Sequence, residues 1–299
     1  MRYLLCWLVL VPVVLTGCEE DVVSVLGTER AYTLYGVLNP KADTQFVRVY
    51  LIEQRLERTT PEPLDARFTS TDLTTGEVLV WRDSVVVDPD GGYGHIFWAP
   101  FRAGYDHDYR LDITGGDGRA SSATIDVPEE AQPELGDPLI IPNVLLPVYV
   151  RGNVARLINT ELSFLISYVN GFTATGTPLV RVDTLIVPYD DRVSRVSDGL
   201  LVQVNLTSAY REVIDLVRRD RDYEPAYGVD LRSVFFDAVV ANEAWQPPPG
   251  GFDPNVLVQP GTLSNVENGF GFVGAGYRVQ IRWRPPDTAM AQAGFRTFS

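Results

Sequence analysis

Short runs of alternating apolar and polar residues, each closed by turn chemistry, constrain the fold of this chain more than anything else in it. Alternation with a period of two puts every second side chain on one face of an extended strand, and a helix cannot use it. Tyr32 to Leu38, Phe46 to Ile52 and Val78 to Val87 are such runs, bounded by Asn39-Pro40, Thr74-Thr75-Gly76 and Asp88-Pro89-Asp90-Gly91. Tyr93 to Trp98, Tyr109 to Ile113 and Ala120 to Val127 follow, with Gly104 and Gly115-Gly116-Asp117-Gly118 making the turns. Strands this short at this spacing predict an immunoglobulin-like β-sandwich over residues 31–128.

Pro128, Pro133, Pro138 and Pro142 then resist both helix and central strand, so residues 129–143 read as a proline-rich linker. The β pattern resumes over residues 144–285, with runs at Val144 to Val150, Leu162 to Val169, Leu179 to Val187, Leu200 to Leu206, Val234 to Val240, Val256 to Val258 and Phe270 to Trp283. This predicts a second β-rich domain. One helix is expected near 208–219, with Ser208 as N-cap and Tyr210, Val213, Ile214 and Val217 at helical spacing. Residues 286–299 read as a loosely held tail.

The first seventeen residues follow a different pattern. Arg2 precedes an apolar run from Leu4 to Val14, too short to span a bilayer, and Leu15-Thr16-Gly17-Cys18 closes it. This reads as a lipoprotein signal peptide, cleaved before Cys18, with Cys18 as the lipidation site. Several acyl chains at ~0.8 kcal/mol per buried CH₂ hold a protein on a membrane for its lifetime. Residues 18–30 become a tether, and Glu19-Glu20-Asp21 directly behind the cysteine is a candidate export signal, since carboxylates do not help adhesion to anionic headgroups.

Charge sets the class of partner. Without residues 1–17 the chain keeps 24 basic and 39 acidic side chains, a net of −15, so a phosphate backbone is repelled and nucleic acid is not an expected partner. Cys6 departs with the signal and Cys18 carries lipid. No disulfide is then available, and stability must come from buried cores. Beyond Cys18 the longest apolar stretch, Leu139 to Val150, is broken by Pro142 and Pro147, which leaves the N-terminal lipid as the one predicted membrane attachment.

Motifs for chemistry mostly fall away on reading. Gly269-Phe270-Gly271-Phe272-Val273-Gly274 spells a dinucleotide-binding fingerprint, but Ala275 to Trp283 has the period of a strand where that fingerprint needs a helix. The glycines read instead as close backbone approaches within a sheet. His95 lies in a strand beside Tyr93 and Phe97 and reads as structural; His107, between Asp106 and Asp108, reads as a solvated turn residue. Asp88-Pro89-Asp90-Gly91 imitates the opening of a calcium loop, yet Ala99 stands where the bidentate glutamate belongs. The sequence predicts no catalytic residue, metal or cofactor, and a weak calcium bridge from that turn to Asp83 or Asp106 stays open. Tyr93, Phe97, Trp98, Phe101 and Tyr105 cluster closely enough to offer a surface for a ligand or partner.

The lipobox, the run from Gly92-Tyr93 through Tyr109-Arg110-Leu111 to Thr124-Ile125-Asp126-Val127-Pro128, a helix opening near Tyr210, and Ser264-Asn265-Val266-Glu267-Asn268-Gly269-Phe270-Gly271 together carry a family resemblance. The chain resembles the Bacteroidota lipoproteins gathered under domain-of-unknown-function family 4249. It departs from their late motif with Val266 in place of isoleucine and Val273 near the expected aromatic residue. The resemblance implies a cell-envelope setting, two modules, and the company of outer-membrane β-barrel receptors of the TonB-dependent kind. The reading that follows is a non-enzymatic, lipid-anchored outer-membrane binding or accessory subunit, exposed at the cell surface. The alternative is a stand-alone adhesin or glycan-binding sandwich.

Overall fold

The computed structural model describes residues 30–52, 61–87, 92–245 and 264–297. The chain is mainly β, as the alternation predicts. Its first eight strands are β1 (Tyr32–Leu38), β2 (Gln45–Leu51), β3 (Ala66–Asp72), β4 (Val78–Val80), β5 (Arg82–Val87), β6 (Tyr93–Ala99), β7 (Asp108–Gly115) and β8 (Ala120–Asp126). They form an immunoglobulin-like sandwich, with β1, β2, β6 and β5 side by side in one layer and β8, β7, β3 and β4 in the other. Leu34, Val47, Val49 and Phe97 face Phe68, Leu111, Ile113 and Ile125 across the core. The run expected as a single strand from Val78 to Val87 is broken at Trp81. This residue is buried, donates from Nε1 to Ser70 Oγ (2.9 Å), and marks where the chain passes from one sheet to the other.

The second sandwich uses β9 (Pro133–Leu135), β10 (Leu145–Arg151), β11 (Arg156–Phe172), β12 (Pro178–Pro188), β13 (Val193–Val196), β14 (Gly199–Asn205), helix α1 (Leu206–Val217) and β15 (Val229–Ala241). The N-cap of α1 is Asn205 rather than Ser208: Asn205 Oδ1 accepts from the Ser208 backbone N–H at 2.9 Å, so the cap lies three residues before the expected one. Ala209, Val213 and Val217 form its buried stripe.

The proline-rich stretch is no free linker. β9 pairs with β10 from Pro133↔Val150 to Leu135↔Val148, and the Tyr277 hydroxyl donates to Glu129 O (2.6 Å) while accepting from Ala131 N (2.6 Å). Burial pushes that phenol up to about 12, so it stays a donor at any physiological pH. Nor is the C-terminus loose. It forms α2 (Asp287–Ala293), whose Ala289 and Met290 are fully buried, and Phe295 packs edge-on against Tyr210 at 4.9 Å.

The two sandwiches share a strand. After β16 (Val266–Glu267), which pairs with β8, β17 (Gly269–Trp283) runs through both. Gly269 to Ala275 lie parallel to β1, and Gly276 to Trp283 lie antiparallel to β15 on the other side. One eight-stranded sheet therefore spans the molecule in the order β12-β11-β15-β17-β1-β2-β6-β5. Val266, Val273 and Ala275 belong to the first core and Tyr277 and Val279 to the second, so residues 264–275 leave the expected 144–285 domain. Where β17 has β1 on one side only, asparagines serve its other edge. Asn265 accepts from Val273 N (2.9 Å) and donates to Val273 O (2.6 Å), and Asn242 Oδ1 accepts from Ala275 N (3.4 Å).

Candidate functional site

The first sandwich carries a cleft of about 240 Å³ between the β3–β4 turn and the segment that leads into β7. Asp72 ends β3 and its carboxylate organises the place. Its Oδ1 accepts from the backbone N–H groups of Thr74 (2.9 Å) and Thr75 (3.1 Å), a local turn that Asp-x-Thr-Thr-Gly readily makes. Its Oδ2 lies 2.8 Å from His107 Nδ1. Burial pushes the Asp72 carboxyl up, but the His107 ring and the Thr75 and Thr74 N–H groups outweigh burial and hold it below the usual carboxylate range. His107 is thus held by a buried partner, with its side chain 29 % exposed, and is not the solvated turn residue its flanking aspartates predict.

Three further polar groups of this cleft are engaged. Tyr109 Oη accepts from Gly104 N (2.9 Å), Ser70 Oγ accepts from Trp81 Nε1, and Arg102 Nε donates to Asp43 Oδ1 (3.1 Å). Burial raises the Tyr109 phenol, the Gly104 N–H lowers it and the nearby Asp72 carboxylate adds to the rise. The arrangement orients an imidazole and locks a turn.

The five aromatic residues expected to share a surface do not. Phe97 is 1 % exposed and stacks on Phe68 with 5.2 Å between ring centres. Phe101 continues the same core, between Trp81 (5.8 Å) and Tyr109 (5.9 Å). Tyr105 turns toward the second sandwich and meets Tyr277 edge-on at 5.1 Å. Trp98 points to the opposite face of β6 from Phe97, donating to Ser84 Oγ (3.0 Å) beneath the Arg82 guanidinium, and Tyr93 sits half-buried at the strand's start. Alternation along β6 separates what proximity in sequence had grouped. A carbohydrate-stacking platform built from these residues is therefore not formed.

His95 keeps its expected structural part, with Nδ1 2.9 Å from Asp83 Oδ2, which also accepts from Leu64 N (2.8 Å). Cys18, Glu19, Glu20 and Asp21 lie outside the described residues, as does the turn from Asp88 to Gly91. Among the described residues no group of three or more His, Cys, Asp or Glu side chains is placed to hold a metal, and no helix is long and apolar enough to cross a membrane. The glycine-rich motif is β17 itself. Gly271 has φ +100°, and a Cβ there would strike the Leu34 carbonyl of β1.

Exposed apolar side chains gather on the second sandwich. Between β9 and β10 the chain makes a loop with Leu139, Ile140 and Ile141 at the surface, Ile141 being 90 % exposed. Its base is the Leu139↔Leu145 bridge, beside the start of α1, where Leu206 N donates to Val144 O (2.9 Å). The loop projects at the α1–α2 end of the sandwich, whereas Tyr32 lies at the opposite end of β17, beside Gly269. Strand β12 adds a second apolar surface along the edge of the eight-stranded sheet.

No family model and no curated protein matches the chain. Among solved structures it is similar to the C-terminal globular domain of an oligosaccharyltransferase from Pyrococcus abyssi, at 13 % identity over 69 % of this chain and 45 % of that one, with a TM-score of 0.19. It is also similar to the N-terminal Ig1-2 module of the Drosophila receptor protein tyrosine phosphatase DLAR, at 14 % identity over 84 % of this chain and 97 % of that one, with a TM-score of 0.18. The chain spans less than half the length of the oligosaccharyltransferase domain. At these TM-scores neither likeness carries an argument about what this protein does.

Proposed function

We propose that the protein is an outer-membrane lipoprotein, anchored through Cys18, that works as a non-enzymatic binding or accessory subunit beside a β-barrel receptor of the TonB-dependent kind. The carrying observation is the apolar loop at Leu139, Ile140 and Ile141, set at the far end of β17 from the strand that follows the tether. A contiguous apolar tip on a mature chain of net charge −15 costs solubility, and surfaces of that kind are kept where a partner covers them. The LTGC run, the acidic residues behind it and the family resemblance supply the envelope setting and the kind of partner.

Extraction of the membrane fraction in mild detergent followed by affinity capture of the lipoprotein tests both halves. The wild type should bring a large β-barrel with it, and Ile141→Asp should lose that barrel while keeping its membrane attachment. Cys18→Ser should release the protein from the membrane or leave it uncleaved. A wild type that is captured alone would count for the adhesin alternative and against an accessory subunit.

A further inference from the structure

We infer that strand β12 is a self-association edge: two copies of this chain join through it, antiparallel about a two-fold axis at Val182, to make one continuous sheet. β12 pairs with β11 along one side, from Glu161↔Pro188 to Phe172↔Pro178, and is the terminal strand of the eight-stranded sheet. Along its other side the described chain sets no strand. The side chains on its outward face are apolar apart from Thr184, with Val180 59 %, Val182 53 % and Ile186 59 % exposed. Natural sheets blunt open edges with charged side chains, prolines or bulges in mid-strand; the charges β12 carries there, Arg181 and Asp183, are of opposite sign, so they bar a strand that cannot match both but not a second copy of this one. Here the prolines stand only at the two ends, and the one register shift against β11 lies between Val169 and Phe172, at the Pro178 end.

The occupant follows from charge. Its middle carries two charged residues, Arg181 and Asp183, with Val182 between them. A two-fold pairing of identical strands must keep the inward faces of both copies on the same side of the sheet, so opposed residue numbers can differ only by an even amount. Centring on Val182 sets Arg181 opposite Asp183 of the second copy, and Asp183 opposite Arg181 of the second copy. The next allowed registers bring Asp183 against Asp183 or Arg181 against Arg181, like charges directly across a ladder. Among the even registers only the one centred on Val182 sets both charges opposite their counter-charges, and it also lays Leu179 against Leu185 and Val180 against Thr184. Within its own chain Arg181 already lies 2.9 Å from Asp220 Oδ2 and 3.6 Å from Asp183 Oδ2, which holds the guanidinium over this stretch of the strand, about half exposed. A strand of unrelated sequence would have no reason to meet this reciprocal pair.

Sedimentation of the detergent-solubilised full chain, corrected for bound detergent, reads the mass directly. The wild type should sediment as a dimer. Arg181→Asp should give the single-chain mass, as should Asp183→Arg, and the double variant R181D/D183R should restore the dimer because the swap keeps the charges complementary. V182C should form a disulfide-linked dimer under mild oxidation faster than V180C, since only Val182 meets itself. A wild type of single-chain mass overturns the inference, and so does a dimer that survives R181D unchanged or a double variant that stays monomeric. Loss of the β-barrel partner from the capture experiment would leave this result untouched, which keeps the two readings separable.

Discussion

At the scale of single residues, Gly271 shows most clearly what the fold asks of the sequence. It combines a φ of +100° with the carbonyl of Leu34 against the place a Cβ would occupy, so two independent penalties coincide. Gly271→Ala should lower stability by about 1 kcal/mol or more, read as a drop in the midpoint of thermal unfolding. Gly118→Ala should cost less, because at Gly118 φ is +83° but the space beside it is open. The glycine-rich run was legible as a strand under close backbone approach. Which backbone approaches it was not, because Gly271 and Leu34 meet through a parallel ladder between distant parts of the chain and leave no local trace. Asp72 and His107 were illegible for a similar reason. Each had a complete local account, a turn aspartate and a solvated histidine, and only the packing of β3 against β7 brings them together.

Among elements, those with a clean period read well and those with mixed faces did not. β3 presents Phe68, Ser70 and Asp72 inward, and two polar side chains of three erase the alternation that announces a strand. β12 has the opposite problem. Its valines and leucines read as one more strand of the second domain, and nothing in that run shows that it lies at the sheet's edge with its outward face exposed. Helix α1 was visible through its stripe, while its start was misplaced because Asn205 closes β14 and caps the helix at once. Asn205→Ala should cost about 1 kcal/mol, typical of a lost N-cap, and show as reduced thermal stability with the strand signal of circular dichroism retained. An unchanged melting temperature would mean that the cap contributes nothing here. Helix α2 is only seven residues long and alanine-rich, too short to show a period, so its sequence looked like a tail.

For the molecule as a whole, the proline density suggested two bodies on a hinge, and β17 makes them one. The fragment 31–128 lacks β16 and β17, which leaves β1 without seven ladder partners and removes Val266, Val273 and Ala275 from its core. Expressed alone, it should fail to give a cooperative melt, while the full chain should unfold in a single calorimetric transition; two resolved transitions in the full chain would show that the shared strand does not couple them. The parallel pairing of β1 with β17 also decides how the molecule meets force. Residue 30 leads directly into β1, so a pull arriving from the N-terminal side runs down the axis of a strand held on both flanks by β2 and β17. The hydrogen bonds of both ladders then resist together in shear and cannot be peeled one after another. The strand that takes the first tug is the one whose neighbour reaches through to the second sandwich, so tension at the N-terminus spreads into both cores.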